Sequence, residues 1–392
     1  MTINSLLPKT LNSPFKTERS STLSTRQTQL AVFLSDLGGG GAERQMLNLT
    51  KELAARGHSL DLLLSSKTGP FLADVPESVR IIDLGAKRVG KALFPLARYL
   101  RREKPAVMLS VANHVNLVAL WARRLARVKT RLVVSERNQL TLWSKNSTKT
   151  MDRFVIPKLI KWFYRWADGI VAVSEGVGDD LSLQTRIPRE KIHAIYNPVA
   201  RKELFEQTQM PVDHPWLQPD QPPVVLAVGR LDQQKDFPVL IRAVAKVRKI
   251  RPVRLMILGE GSERSALQKL IDELGIQDDV TLHGFAANPY AYMSKAAGFV
   301  LSSRWEGLPG VLIEAMCCGV PVISTDCPSG PREILQDGKY GQLVPVGDIN
   351  AIANAIHNVL DHPDKRTPRE SVRRFELETV ANQYEKVLFG KS

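Results

Sequence analysis

The sequence predicts an α/β protein built from two doubly wound domains, each a parallel sheet with helices on both faces, set opposite one another across a cleft. Three observations carry this expectation. The chain has 392 residues, more than one hydrophobic core usually supports, so two domains of roughly 150 to 200 residues each are expected. Short apolar runs of strand length alternate with helix-periodic stretches along most of the chain. A proline-rich interval at 197–223, holding Pro198, Pro211, Pro215, Pro219, Pro222 and Pro223, divides these alternations into two series.

Residues 1–27, rich in Ser, Thr and Lys, read as a disordered tail. The first domain, 28–200, opens with the apolar strand TQLAVFLSD and the glycine run Gly38–Gly41, followed by a helix in which Met46, Leu47, Leu49 and Leu53 recur at helical spacing. Gly57 ends that helix and HSLDLLLSS begins the next strand; AVMLSVAN, TRLVVSERN and DGIVAVSEGV are further buried strands between helical stretches. Residues 201–223 read as the linker. The second domain, 224–374, repeats the alternation with PVVLAVGRL, VRLMILGEG, DVTLHGF, AGFVLSS, GVPVISTD and GQLVPVGD. The last helical stretch, within 375–392, comes after the second domain is complete and is expected to pack back on the first.

Composition narrows the class. Apolar residues make up 43%, enough for two cores. No run reaches the roughly 18 to 20 apolar residues of a membrane-spanning helix, and no apolar leader segment is visible at the N-terminus, so a cytoplasmic location is expected. Cys317 and Cys318 are adjacent and Cys327 lies nearby, a spacing that suits neither a disulfide framework nor a C-x-x-C metal site; buried small hydrophobes are the expectation. The net charge of +14 is one-sided: residues 1–200 hold 31 Lys+Arg against 16 Asp+Glu, and the remainder holds 23 against 24. A basic first half implies an anionic partner or surface.

In open α/β sheets ligands bind at the carboxyl ends of the strands, so the chemistry belongs to loops. In VLAVGRLDQQKDF a strand ends at Gly229, and Arg230 and Lys235 follow before the next helix. A planar guanidinium and a compact ammonium at that mouth suit a diphosphate, although exposed cations in a loop are commonly just solvated. LGEGSERSAL offers a second ligand loop with Gly261, although capping of the next helix by Ser262 alone explains it, and Phe285 follows the strand of LHGFAANPY where backbone groups can read a base edge. In RWEGLPGVLIEAMCCG, Gly307 and Gly310 let the backbone approach a ligand while Pro309 stiffens the loop. The N–H groups of Leu308, Gly310 and Val311 open a helix, a position that favours phosphate. Glu306 at the loop entrance and Glu314 one turn into the helix can then accept hydroxyls beside the phosphates, as in a nucleotide-sugar site. A helix with an acid near its dipole explains Glu314 alone but not the Gly/Pro loop.

With EGLPGVLIE at Glu306–Glu314, VGRLDQQKDF at Val228–Phe237, GGGGAER, VAVSEGV at Val171–Val177 and YNPV at Tyr196–Val199, the chain resembles retaining glycosyltransferases of family 4, which have the GT-B fold. The resemblance spans roughly residues 30 to 390. It implies that Arg230 and Lys235 hold the donor diphosphate, that Glu306 lies against the donor sugar and Glu314 against the ribose, and that Gly39 and Gly40 approach the phosphates from the first domain. It implies no metal or other cofactor. A dinucleotide-binding reading of the glycine run is disfavoured, because Glu43 stands where the third glycine of G-x-G-x-x-G belongs and LLLSSK lacks the expected acid.

Relatives of this kind carry a His or an acid from the first domain near the donor sugar. His114 in ANHVN and Glu136, Arg137 and Asn138 in SERN, each at a strand's carboxyl end, are the candidates. Residues 148–168 interleave Lys149, Arg153, Lys158, Lys161 and Arg165 with Phe154, Trp162, Phe163, Tyr164 and Trp166, and 87–104 has similar character. Such mixtures suit an anionic membrane surface, with a core helix bearing a solvated basic face as the plain alternative. SERN together with EGLPGVLIEAMCCGVPVISTDCPSGPREIL especially resembles transferases that extend lipid-linked glycans with N-acetylgalactosamine, galactose or a related sugar. The expected activity is transfer of a hexosyl or N-acetylhexosaminyl group from a UDP-sugar to a polyprenyl-diphosphate-linked acceptor at the cytoplasmic face of the inner membrane. A nucleotide-sugar epimerase would share the clamp without needing the basic face. A nucleic-acid-binding protein would use the basic half but leaves Glu306 and Glu314 unexplained, and no nucleic-acid module is present.

Overall fold

The computed structural model describes residues 29–38 and 40–390, so the tail 1–27 and Gly39 lie outside the described residues. The first sheet comprises β1 Leu30–Leu34, β2 Leu60–Leu64, β3 Arg80–Asp83, β4 Val107–Val111, β5 Arg131–Glu136, β6 Gly169–Ala172 and β7 Ile192–Ala194. All are parallel, in the order β3-β2-β1-β4-β5-β6-β7. The second sheet comprises β8 Val224–Val228, β9 Arg254–Leu258, β10 Val280–Gly284, β11 Gly298–Leu301, β12 Val322–Thr325 and β13 Gln342–Val344. It is also parallel, in the order β10-β9-β8-β11-β12-β13.

The central strands are continuous apolar runs because helices cover both faces: every residue of β1, β2 and β4 is buried. Helix Gly41–Ala55 buries Met46, Leu47, Leu49 and Leu53, the positions its periodicity picks out. The two strands not read from the sequence, β3 and β7, are the edges of the first sheet. Both are short and partly exposed, so neither has an apolar run to betray it.

Both sheets reverse strand order once, between β1 and β4 and between β8 and β11. Crossover helices leave toward opposite faces at such a point and open a crevice there. The loops that follow β1, β8 and β11 hold Gly38 and Gly40, the Arg230/Lys235 stretch and Glu306 respectively, and His114 stands in the first turn of helix Asn113–Ala126, which follows β4. The interval 201–223 is ordered, with a helix at Lys202–Gln207 whose Leu204 is fully buried and a turn at Pro215–Leu217.

Helix Leu377–Phe389 packs on helix Gly41–Ala55, β4 and β5 of the first domain. Phe375 O accepts the N–H groups of Val199 and Ala200 at 3.1 and 3.0 Å, which steers the chain back across the linker. Val380, Ala381, Tyr384 and Leu388 are buried there. At its rim Glu385 receives Arg56 at 2.7 Å and His58 at 2.6 Å. Leu388→Ala should therefore destabilise the fold by about 2–5 kcal/mol in urea denaturation, whereas Leu183→Ala, at a side chain left exposed, should change stability by less than ~0.5 kcal/mol.

Candidate active site

The loops after β8 and β11 are neighbours because their strands are, and polar contacts stitch them together. Arg304 spans both carboxylate oxygens of Asp236 at 2.9 and 3.1 Å, its N–H donates to Gln234 O at 2.8 Å, and Ser302 Oγ donates to Lys235 O at 2.7 Å. The stem of Lys235 crosses Gly229, where a Cβ would lie 3.0 Å from Lys235 Cε. This glycine clears the path of the lysine into the cleft. Lys235 Nζ then meets Glu306 Oε1 at 2.6 Å, and Ser303 Oγ donates to the same oxygen at 2.7 Å. Gln234 Nε2 holds Trp305 O at 2.9 Å beside them.

Beyond Glu306 the chain turns through Gly307, Leu308 and Pro309 into helix Gly310–Cys317, which starts without a side-chain cap. Gly307 is pressed against the first domain: a Cβ there would come within 2.0 Å of Arg137 O. Glu314 is half-buried and accepts from Tyr290 OH at 3.3 Å. Tyr290 OH in turn receives Arg44 at 3.3 Å from helix Gly41–Ala55 and Arg201 at 3.4 Å from the linker. Burial raises the Glu314 carboxyl above its ordinary range, and the Arg44 and Arg201 guanidinium groups oppose that rise.

The other sequence-derived residues are placed unevenly. Arg230 is exposed, with Asp232 at 3.5 Å. Phe285 is 79% exposed after β10. Gly261 is exposed but lies tight against the loop after β8, where a Cβ would meet Leu231 O at 2.3 Å. Gly40 caps helix Gly41–Ala55. His114 is half-exposed and 3.2 Å from Asp152, with its ring edge-on to Trp143.

The SERN segment departs from the expectation that its side chains line the cleft. Glu136 is buried beneath the loop, bonded to Tyr164 OH and to Asn116 Nδ2 at 3.0 Å. Arg137 is also buried and holds Asn197 of YNPV, whose Nδ2 donates to Leu308 O at 3.3 Å. Only Asn138 is exposed. The Arg137 carbonyl fills the space above Gly307, so the segment meets the second domain with backbone there, while buried hydrogen bonds hold the Glu136 and Arg137 side chains inward.

Residues with no role in the sequence reading complete the site: Ser303, Gln234, Tyr290, Arg44 and Arg201. Arg44 stands within GGGGAER, so its motif was visible while its partner, 246 residues away, was not. The basic–aromatic stretch 148–168 divides by side: Ile156, Ile160 and Tyr164 are core, whereas Met151, Phe154 and Trp162 are 61%, 56% and 65% exposed. In 87–104 the helix Leu93–Glu103 turns Leu96, Ala97, Tyr99 and Leu100 into the core and leaves Phe94, Arg98, Arg101 and Arg102 exposed. Burial pushes the Cys317 and Cys327 thiols up to about 12, which suits small buried hydrophobes. Among the described residues no cluster of His, Cys, Asp or Glu is arranged to hold a metal ion, and no helix is long and apolar enough to cross a membrane.

Known families account for both halves. Residues 39–203 match the model of Glycosyltransferase Family 4, and residues 212–372 match that of Glycosyl transferases group 1. The chain is a family 4 glycosyltransferase. This glycosyltransferase is 30% identical, over 92% of its length and 100% of the relative's, to the N-acetylgalactosamine-N,N'-diacetylbacillosaminyl-diphospho-undecaprenol 4-alpha-N-acetylgalactosaminyltransferase of Campylobacter jejuni. It is 28% identical to the lipopolysaccharide core biosynthesis glycosyltransferase LpsE of Rhizobium meliloti, covering 90% of this chain and 96% of that one. Its GT-B fold is shared with Anabaena HepE in complex with UDP-glucose, at a TM-score of 0.74 and 20% identity over 92% of this chain and 99% of that one. The lipopolysaccharide outer core galactosyltransferase WaaB aligns with a TM-score of 0.71 at 22% identity, covering 93% and 99%.

Burial drives the Glu136 carboxyl up to about 7 against the opposing bonds from Tyr164 and Asn116. The folded enzyme therefore holds a proton there that the unfolded chain releases at its ordinary carboxylate pKa, and the associated stability, full below that value, is lost as pH rises to about 7. Glu136→Gln should flatten the fall in stability over that window, which for the wild type amounts to roughly 3 kcal/mol; urea denaturation at several pH values measures it.

Proposed function

We propose that this glycosyltransferase moves a hexosyl or N-acetylhexosaminyl group from a UDP-sugar, with retention at the anomeric carbon, to a hydroxyl of a polyprenyl-diphosphate-linked sugar. The observation that carries the reading is the Lys235–Glu306 pair, brought together in the cleft by the loops of β8 and β11. Two opposite charges drawn so far from water persist only with good geometry and further hydrogen bonds, which Ser303 and Gln234 supply.

Each residue then has a part. Lys235 turns its ammonium toward the donor diphosphate, Arg230 closes over it from the exposed rim, and the first N–H groups of helix Gly310–Cys317 face the remaining phosphate oxygens. Together they stabilise the charge that develops as the glycosidic bond to phosphate breaks. Glu306 orients the donor sugar, Glu314 takes the ribose hydroxyls, and Phe285 with its neighbouring backbone flanks the base. His114 and Asn138 flank the acceptor from the first domain, which holds the attacking hydroxyl on the face the leaving group vacates. Charge neutralisation rests on these cations, and the reading requires no metal ion. UDP is favoured by the nucleotide named with HepE, a neighbour in fold, and the acceptor class by the diphospho-undecaprenol substrate in the name of the Campylobacter relative.

The acceptor would reach the enzyme at the cytoplasmic face of the inner membrane. Lys161, Trp162, Arg165, Arg186, Lys191 and His193 line a groove of about 730 Å³ on the first domain. With the exposed Phe154 and Met151 nearby in sequence, they offer cations and apolar anchors of the kind an anionic bilayer binds.

UDP added in EDTA should raise the melting temperature of the wild type, and the rise should vanish in Glu314→Ala. Lys235→Ala should lower kcat by about 10² to 10³. A wild-type protein that no nucleotide stabilises, or full turnover in Lys235→Ala, would rule out the clamp. In co-sedimentation, vesicles containing anionic lipid should capture the wild type more than neutral vesicles do, and Trp162→Ala combined with Lys161→Glu should reduce that capture. Equal recovery with both vesicle types would sink the membrane part.

A further inference from the structure

The two domains of this glycosyltransferase meet at a point that neither the donor clamp nor the acceptor side uses. Helix Glu175–Thr185 of the first domain begins at the interface, and the N–H groups of its first turn have no partners within the helix. Ser174 Oγ accepts from Val177 N at 3.1 Å, which satisfies one of them locally. The preceding two are satisfied from the other domain: Glu333 accepts Glu175 N–H on Oε2 and Gly176 N–H on Oε1, both at 2.9 Å. A carboxylate bound by two backbone donors at the positive end of a helix is a strong contact.

This contact leads directly to the loop that follows Glu306. Glu333 sits on the short helix Pro331–Ile334, just after Ser329 and Gly330. Ser329 Oγ donates to Gly307 O at 2.9 Å, and Ser174 Oγ, from the first domain, donates to the same carbonyl at 3.1 Å. Fit is close on both sides. A Cβ on Gly176 would lie 2.7 Å from Ser329 Cβ, and one on Gly307 would strike Arg137 O. Gly330 supports the loop from behind with φ +94°, where a Cβ would meet Pro309 Cδ at 2.7 Å. Around the carboxylate stand Arg374, which donates to the Glu333 carbonyl, and Glu175, whose own carboxylate is turned away to Arg189.

We propose that Glu333 is a positioning residue, the second-domain half of a clasp that caps helix Glu175–Thr185 and thereby holds the Gly307 loop against the first domain. Its link to donor use rests on the nucleotide-sugar reading of that loop; the clasp itself does not. Opening the domains strips two helix donors of their acceptor, so the clasp favours the closed register in which the loop faces the cleft. Glu333→Ala removes both acceptor oxygens, and Glu333→Gln keeps one and nearly the same shape.

The test is hydrogen exchange by mass spectrometry on the full chain, without ligand, followed by donor kinetics. In Glu333→Ala, segments 174–180 and 305–311 should both exchange about tenfold faster, the change expected for losing a hydrogen bond to a charged group. Glu333→Gln should fall between it and the wild type, and this milder variant carries the test if Glu333→Ala fails to fold. The KM for UDP-sugar should rise about fivefold or more while kcat stays within about twofold, because a smaller fraction of the enzyme is binding-competent. Unchanged exchange at 305–311 in both variants overturns the clasp, as does a loss of kcat with KM unaltered. A failure of the nucleotide-sugar reading is seen separately, as absence of UDP binding by the wild type.

Discussion

A buried ion pair between Lys235 and Glu306 is the constraint around which the second domain's loops are arranged. Its side chains retain only 14% and 9% of their exposure, so each charge has lost most of its water and depends on the other. That dependence explains the surrounding chemistry. Ser303 and Gln234 supply the hydrogen bonds that the pair alone cannot, Arg304 clamps Asp236 so that the two loops keep their spacing, and Gly229 stays small so that the lysine stem can pass. A pair of this kind adds little net stability to a fold. It keeps two opposite charges dehydrated and fixed in orientation at the carboxyl ends of β8 and β11.

The position of that pair follows from topology. Parallel sheets need crossovers, and crossovers that change sides leave a crevice where the strand order turns. Residues that follow strands of both sheets meet without being near in sequence, as Arg44 meets Tyr290 and Arg137 meets Gly307. The domains are also joined in their interior: Val177, Val199, Leu308 and Ile334 belong to one buried apolar cluster that runs from the first domain into the second. Polar contacts then set the register of that joint, through Asn197 on Leu308 O, Ser174 on Gly307 O and Glu333 on the helix at Glu175.

Much of the fold was legible in the residues. Central strands announce themselves as apolar runs, and helices by periodicity, because both patterns are imposed by local geometry and a covered sheet. The edge strands β3 and β7 were not legible, since an edge needs no apolar run. Among candidate site residues, Glu306 and Glu314 stood out by their glycine–proline loop and Lys235 as a cation after a strand, and the family resemblance suggested their roles. The burial of Glu136 and Arg137 was not legible, because residues at a strand's end can face the cleft or turn under it. Here the Arg137 carbonyl packs on Gly307 while both side chains are buried.

By itself, then, the sequence determined two doubly wound domains, a basic first half, a glycine-bounded acidic loop and membership in a family, all properties written in composition, period and short spacing. Tertiary structure decided which charges meet. Arg44 reaches Tyr290 across 246 positions, Glu333 reaches Gly176 across 157, and Lys235 reaches Glu306 across 71. No local pattern encodes those distances, because they depend on how two sheets twist, pack and come to rest against each other.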